Sequence, residues 1–188
     1  MITLDSPHVG LNDHRAPATV RMWKTLNVTS YDTPDYLTRK ISQIADMAPG
    51  GKIKNLVLSC HGNTGYLQMG TGIDRQHVHL FRRLAGKVDK IWFRACRVVA
   101  VQTPGSLTSG DGNLFCAEIA RAAGCYVIAS TEGQVADTNR VLPYGRLDSF
   151  EGLVLCYGPA GRVTWSRRYP STFQWSSAFP GSYTQNPD

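Results

Sequence analysis

Residues 55–62, Asn-Leu-Val-Leu-Ser-Cys-His-Gly, and residues 88–97, Val-Asp-Lys-Ile-Trp-Phe-Arg-Ala-Cys-Arg, decide the fold of this chain. Each is a short apolar run bounded by turn signals, the pattern of a buried strand. Before the first of them, Thr33 and Pro34 read as a helix cap and first helical position. Tyr36, Leu37, Ile41, Ile44 and Ala45 then recur at helical spacing until Pro49-Gly50-Gly51. Between the two strands, Ile73, His77, Leu80, Phe81 and Leu84 lie on one helical face, ended by Gly86. Residues 113–123 predict a third helix ending at Gly124, and Cys125–Ser130 a third strand. Residues 152–157 and 162–165, joined by Gly158-Pro159-Ala160-Gly161, predict an edge hairpin. This alternation predicts an α/β domain with a mostly parallel central sheet and helices on its faces.

Length and composition agree with one such domain. The chain has 188 residues, 42% hydrophobic and 18% charged, enough for one core and short for two. Residues 1–18 read as an irregular N-terminal strap, 19–169 as the domain, and 170–188, with Pro170, Pro180 and Pro187, as an irregular tail. The net charge of +6 is spread along the chain, so it favours an acidic partner without naming one. No apolar stretch is long enough to span a membrane, and the first residues lack a signal-peptide pattern. A cytoplasmic location is the default expectation, with leaderless export as an effector the other route. Five cysteines, at 60, 96, 116, 125 and 156, form no Cys-x-x-Cys pair, which argues against a disulfide framework and leaves a free thiol to explain.

The carboxyl ends of the two deciding strands carry that explanation. Ligand sites in such sheets form at these ends. One strand runs into His61-Gly62 and the other into Cys96-Arg97. Neighbouring strands lie ~4.8 Å apart, so adjacency would bring imidazole and thiol to one rim. There the imidazole either assists loss of the thiol proton or holds a thiolate as an ion pair. Gly62 admits a close carbonyl, and its N–H, with that of Cys96, would stabilise an oxyanion.

The elements LVLSCHG (56–62) and IWFRACR (91–97), in the order His then Cys, resemble the two catalytic motifs of the caspase-like cysteine peptidases. HGNTGYLQMGTG (61–72) resembles the His-Gly strand-turn of the bacterial members, and GNLFCAEIARAAGCYVIAS (112–130) the helix and strand after their cysteine. The resemblance spans about residues 53–165. It implies Cys96 as nucleophile, His61 as general base and acid, Gly62 as an oxyanion donor, a protein or peptide substrate, and no cofactor. Val98 stands where caspases have glycine, and the interval from His61 to Cys96 is shorter than theirs. The bacterial single-chain types, CHAT-like or toxin-autoprocessing, are therefore the closer comparison, and cleavage after aspartate does not follow.

Other motifs carry less. Cys60 and His61 are consecutive in a strand and point to opposite faces, which argues against a shared metal ion. Cys116, Cys125 and Cys156 read as core, and His77 as a core or boundary residue. Gly70-Thr71-Gly72 and Gly110-Asp111-Gly112 do not complete a phosphate-binding motif. Substrate choice falls to residues 97–111 and 131–149. In those loops Arg97 and Arg140 would favour an acidic side chain, whereas Glu132 and Asp137 would favour a basic one. The alternatives are a catalytically inactive module of the same fold and, on Arg82, Arg83, Lys87, Lys90, Arg162, Arg167 and Arg168, a basic nucleic-acid-binding domain. A regulatory partner is not readable.

Overall fold

The computed structural model describes residues 1–101, 110–134 and 140–170. A seven-stranded mixed sheet organises them. Strand β1 (His8–Asp13) lies between β2 (Lys24–Val28) and β3 (Ile53–Ser59), parallel to both. Helix α1 (Pro34–Met47) connects β2 to β3. A small hairpin, β4 (His61–Asn63) and β5 (Tyr66–Gln68), and a 3-10 helix over Arg75–Leu84 lead to β6 (Val88–Arg94), parallel to β3. Helix α2 (Gly112–Ala123) then leads to β7 (Tyr126–Ser130), parallel to β6. Strands β8 (Gly152–Tyr157) and β9 (Val163–Tyr169) close the sheet with two antiparallel pairings. The spatial order is β9-β8-β7-β6-β3-β1-β2.

The α/β class holds, but the sheet is mixed rather than mostly parallel as expected: five strands pair in parallel, and the terminal hairpin adds an antiparallel pairing on each side of β8. Strand order also decides which face each connection takes. From β2 onward the chain steps in one direction across the sheet, so right-handed crossovers place α1, the 3-10 helix and α2 on the same face. Their side chains Leu37, Ile41, Phe81, Leu84, Phe115 and Ile119 pack there against Leu56, Leu58, Ile91 and Phe93. The step from β1 to β2 runs the other way, and its connection crosses the opposite face. Val20 and Met22 join Leu4, Leu142 and Leu147 over Val57 there, while Phe150 packs with Ile128 and Val154. Among the described residues, helices therefore cover one face only, and irregular chain covers the other.

Local signals explain the helix ends. The Thr33 hydroxyl accepts the Tyr36 N–H, Pro34 opens α1, and Gly124, with φ 60°, closes α2 in the left-handed region. The run expected as an α-helix over residues 73–84 is a 3-10 helix capped by Asp74, whose carboxylate accepts the Gln76 N–H and contacts His77 Nδ1.

Residues 1–18 are not an irregular strap. His8–Asp13 is an interior strand of the sheet with every residue buried. Its polar residues hide it from an apolar-run reading, and each is satisfied by tertiary partners. Asn12 exchanges two hydrogen bonds with the Val20 backbone, and His8 Nδ1 accepts the Trp23 N–H. Gly10 has no side chain because a Cβ there would stand 2.6 Å from Val20 Cγ2. The tail expected over 170–188 lies outside the described residues beyond Pro170.

Candidate active site

The carboxyl ends of β1, β3, β6 and β7 form one rim. The pairing of β3 with β6 puts Ser59 opposite Arg94, and the Cys60 N–H donates to the Arg94 carbonyl at 3.2 Å. The next residues of each strand, His61 and Cys96, are thereby brought together, and both line a cleft shared with Cys60, Arg94, Gln134 and Asp148. Pro17 and the segment Leu147–Phe150 also line it. His61 is exposed and Cys96 half-buried, whereas the other four cysteines are buried.

Gly62 follows from packing. A Cβ at Gly62 would lie 2.7 Å from the Cys96 carbonyl oxygen and 2.8 Å from Ala95 Cβ, so only glycine lets the two strand extensions close on one another. In the β4–β5 hairpin Gly62 faces Leu67, and the Leu67 N–H donates to the Ile73 carbonyl instead. Gly62 and Leu67 are therefore the non-hydrogen-bonded pair, and the Gly62 N–H points out of the hairpin.

The two other glycine pairs also have packing roles. A Cβ at Gly112 would lie 2.1 Å from the Val98 carbonyl oxygen, one at Gly110 2.7 Å from that of Thr64, and one at Gly70 2.0 Å from that of Asp32. They let backbones approach closely around the site.

The Cys96 thiol meets the backbone of Gln134. Its sulfur accepts the Gln134 N–H at 3.3 Å, and its S–H donates to the Gln134 carbonyl at 3.8 Å. Burial pushes the thiol pKa up. The Gln134 N–H and Arg94 pull it back, Glu151 pushes it further up, and Arg97 lowers it. The net direction is upward, toward the neutral thiol. The buried cysteines shift the same way, Cys125 being pushed up to about 12 by its burial.

Two charged clusters at the rim were not legible in the sequence. Arg94 is 8% exposed and forms a two-bond pair with Asp148, Nε to Oδ1 at 2.9 Å and Nη2 to Oδ2 at 2.6 Å, while its Nη1 reaches Ser59 Oγ at 3.4 Å. This pair forms one wall of the Cys96 cleft. At the end of β1, Asp13 is fully buried and accepts hydrogen bonds from the Arg15 N–H and guanidinium and from the Gly70 N–H. Burial alone would raise its pKa, but these bonds outweigh it and hold the carboxyl below its usual range. Arg15 Nη2 in turn donates to the Gly70 carbonyl at 2.7 Å, tying β1 to the turn after β5. Asp148 lies 54 residues from Arg94 and Gly70 lies 57 from Asp13, separations that no local pattern bridges, although Arg15 stands only two residues from Asp13.

The expected specificity residues are dispersed. The Arg97 N–H donates to the Glu132 carbonyl at 2.9 Å, yet neither side chain is among the described residues lining the cleft. Glu132 accepts from Arg168 Nη1 at 3.1 Å. Arg140 is exposed on the two-residue strand paired with Ala18–Thr19. Asp137 lies outside the described residues. Arg97 has φ 54°, a left-handed conformation costing roughly 1 kcal/mol in a non-glycine residue, and it turns the chain immediately after Cys96. Among the basic residues considered for nucleic acid, Arg83 pairs with Asp35 and Lys87 with Asp46 at 2.6 Å each. Among the described residues no helix is long and apolar enough to cross a membrane. Comparisons of the chain with family models, with curated proteins and with solved structures find no match.

Proposed function

We propose that this chain is a cysteine endopeptidase of the caspase-like type, acting on a protein substrate through Cys96 and His61. One observation carries the proposal: of five cysteines, the single one that is not buried opens on the same cleft as His61, at the carboxyl ends of adjacent parallel strands. The upward-shifted thiol favours general-base assistance over a standing thiolate–imidazolium pair. In that step His61 takes the Cys96 proton as the sulfur bonds to the scissile carbonyl carbon. The oxyanion forms beside the N–H groups of Gly62 and Cys96. His61 then returns the proton to the leaving amine as the C–N bond breaks, and water hydrolyses the thioester. The resemblance to bacterial single-chain members makes a protein-processing effector the corresponding biological role.

The test is peptide-library cleavage by the wild-type chain and by Cys96→Ala and His61→Ala. Each substitution is expected to lower cleavage roughly 10³-fold or more at an unchanged thermal midpoint. Full activity in either variant removes the proposal. A second reading, a binding module of the same fold without chemistry, is favoured by the engagement of the Cys96 S–H with Gln134. It predicts no cleavage by wild type and iodoacetamide reactivity of Cys96 no greater than its exposure alone gives.

A further inference from the structure

We propose that Gln134 is the positioning residue of Cys96, its anchored side chain aiming its own backbone N–H at the sulfur so that the thiolate is favoured. The inference rests on Cys96 as the reactive thiol and adds the group that sets its ionisation.

The anchoring is specific. Gln134 Nε2 stands within hydrogen-bond distance of three carbonyl oxygens, those of Glu132 at 3.1 Å, Gly133 at 2.9 Å and Glu151 at 3.1 Å. Its Oε1 accepts the Glu151 N–H at 2.9 Å. Only the amide nitrogen suits a site walled by carbonyls, so the orientation of this side chain is forced. It joins the chain leaving β7 to the chain entering β8, and Ser130 Oγ reinforces the same junction by donating to the Glu151 carbonyl at 2.7 Å. The segment is also bound to the residue after the cysteine, through the Arg97 N–H and the Glu132 carbonyl. A backbone N–H held at 3.3 Å from Sγ is the product of this network.

An N–H aimed at sulfur stabilises the anion more than the neutral thiol, opposing the effect of burial. The Gln134 carbonyl serves the other protonation state, accepting the S–H at 3.8 Å. When the proton passes to His61, or to base in solution, that contact is lost and the N–H contact strengthens. Among the described residues, the other charged and titratable groups acting on the thiol are Arg94 and Arg97, which favour the thiolate, and Glu151, which opposes it, while His61, Cys60 and Asp148 lie along the cleft.

The experiment follows iodoacetamide alkylation of Cys96 by peptide mass mapping from pH 6 to 12 in the intact wild-type chain, Gln134→Ala and the volume-conserving Gln134→Met. In both variants the midpoint is expected to rise by about one pH unit, a roughly tenfold slower alkylation at pH 7, with rates converging at high pH. A midpoint unchanged in either folded variant overturns the proposal. So does a rate altered by one factor at every pH, which marks a change of access alone. Peptide cleavage measured in parallel separates the two proposals. A moved midpoint without any wild-type cleavage keeps Gln134 and removes the peptidase, while an unmoved midpoint in a cleaving chain removes Gln134 alone.

Discussion

Along β6, Ile91, Phe93 and Ala95 enter the core beneath the helices, whereas the residues between and beyond them, Trp92, Arg94 and Cys96, meet the irregular chain of the opposite face. The helix face is packed by apolar side chains from α1, the 3-10 helix and α2. The opposite face mixes apolar residues with paired polar ones, among them Asn12 with Val20, Asn55 with Trp92 and Arg94 with Asp148. Burial on the first face contributes stability through area and close packing. Buried polar groups on the second mainly offset their own desolvation, so what they add is position. One face holds the fold, and the other holds the cleft.

The sharpest way to break this comparison is to cut into each face in turn. Phe115→Ala, on α2 against Phe93, is expected to destabilise by about 4 kcal/mol in urea denaturation, because the cavity lies in a fully buried apolar layer. Asp148→Ala leaves Arg94 buried without its partner and is expected to cost about 3 kcal/mol. The double variant Arg94→Met/Asp148→Ala should recover most of that loss. A double variant no more stable than the single one would show that the pair adds net stability and would put the two faces on the same footing.

The smallest effect is expected at Asp13, and it depends on pH. Because the folded carboxyl is held below its ordinary value, its contribution is fully present above about pH 4, the unfolded carboxylate range, and is lost as pH falls through the lower folded value. Asp13→Asn should cost about 2 kcal/mol at pH 7 and progressively less toward pH 2. Thermal midpoints of both chains across pH 2–7 check the sign, and parallel curves would assign the acid sensitivity to other carboxylates.

The helix face was legible from sequence because its elements carry local patterns. Leu37, Ile41 and Ile44 repeat at helical spacing, Thr33-Pro34 and Gly124 mark ends, and NLVLS and the run from Val88 read directly as strands. The same runs delivered His61, Gly62 and Cys96 to adjacent strand ends, because a parallel pair needs only register to align its termini. Strand β1 escaped notice because His8, Asn12 and Asp13 are polar in isolation and become buried only when Val20, Trp23, Arg15 and Gly70 supply their partners. The 3-10 geometry of Arg75–Leu84 was equally hidden, since apolar residues three and four apart suit either helix.

Sequence alone determined the α/β class, the order of the deciding strands and the residues at their carboxyl ends, since each depends on nearest-neighbour pattern and chain direction. Tertiary structure decided the rest: the interior place of β1 in the sheet, and the cleft walls supplied by Arg94 with Asp148 and by Gln134. Those depend on hydrogen bonds and ion pairs between residues 8 to 57 positions apart, whose strength comes from desolvation at a place that exists only after the chain has folded.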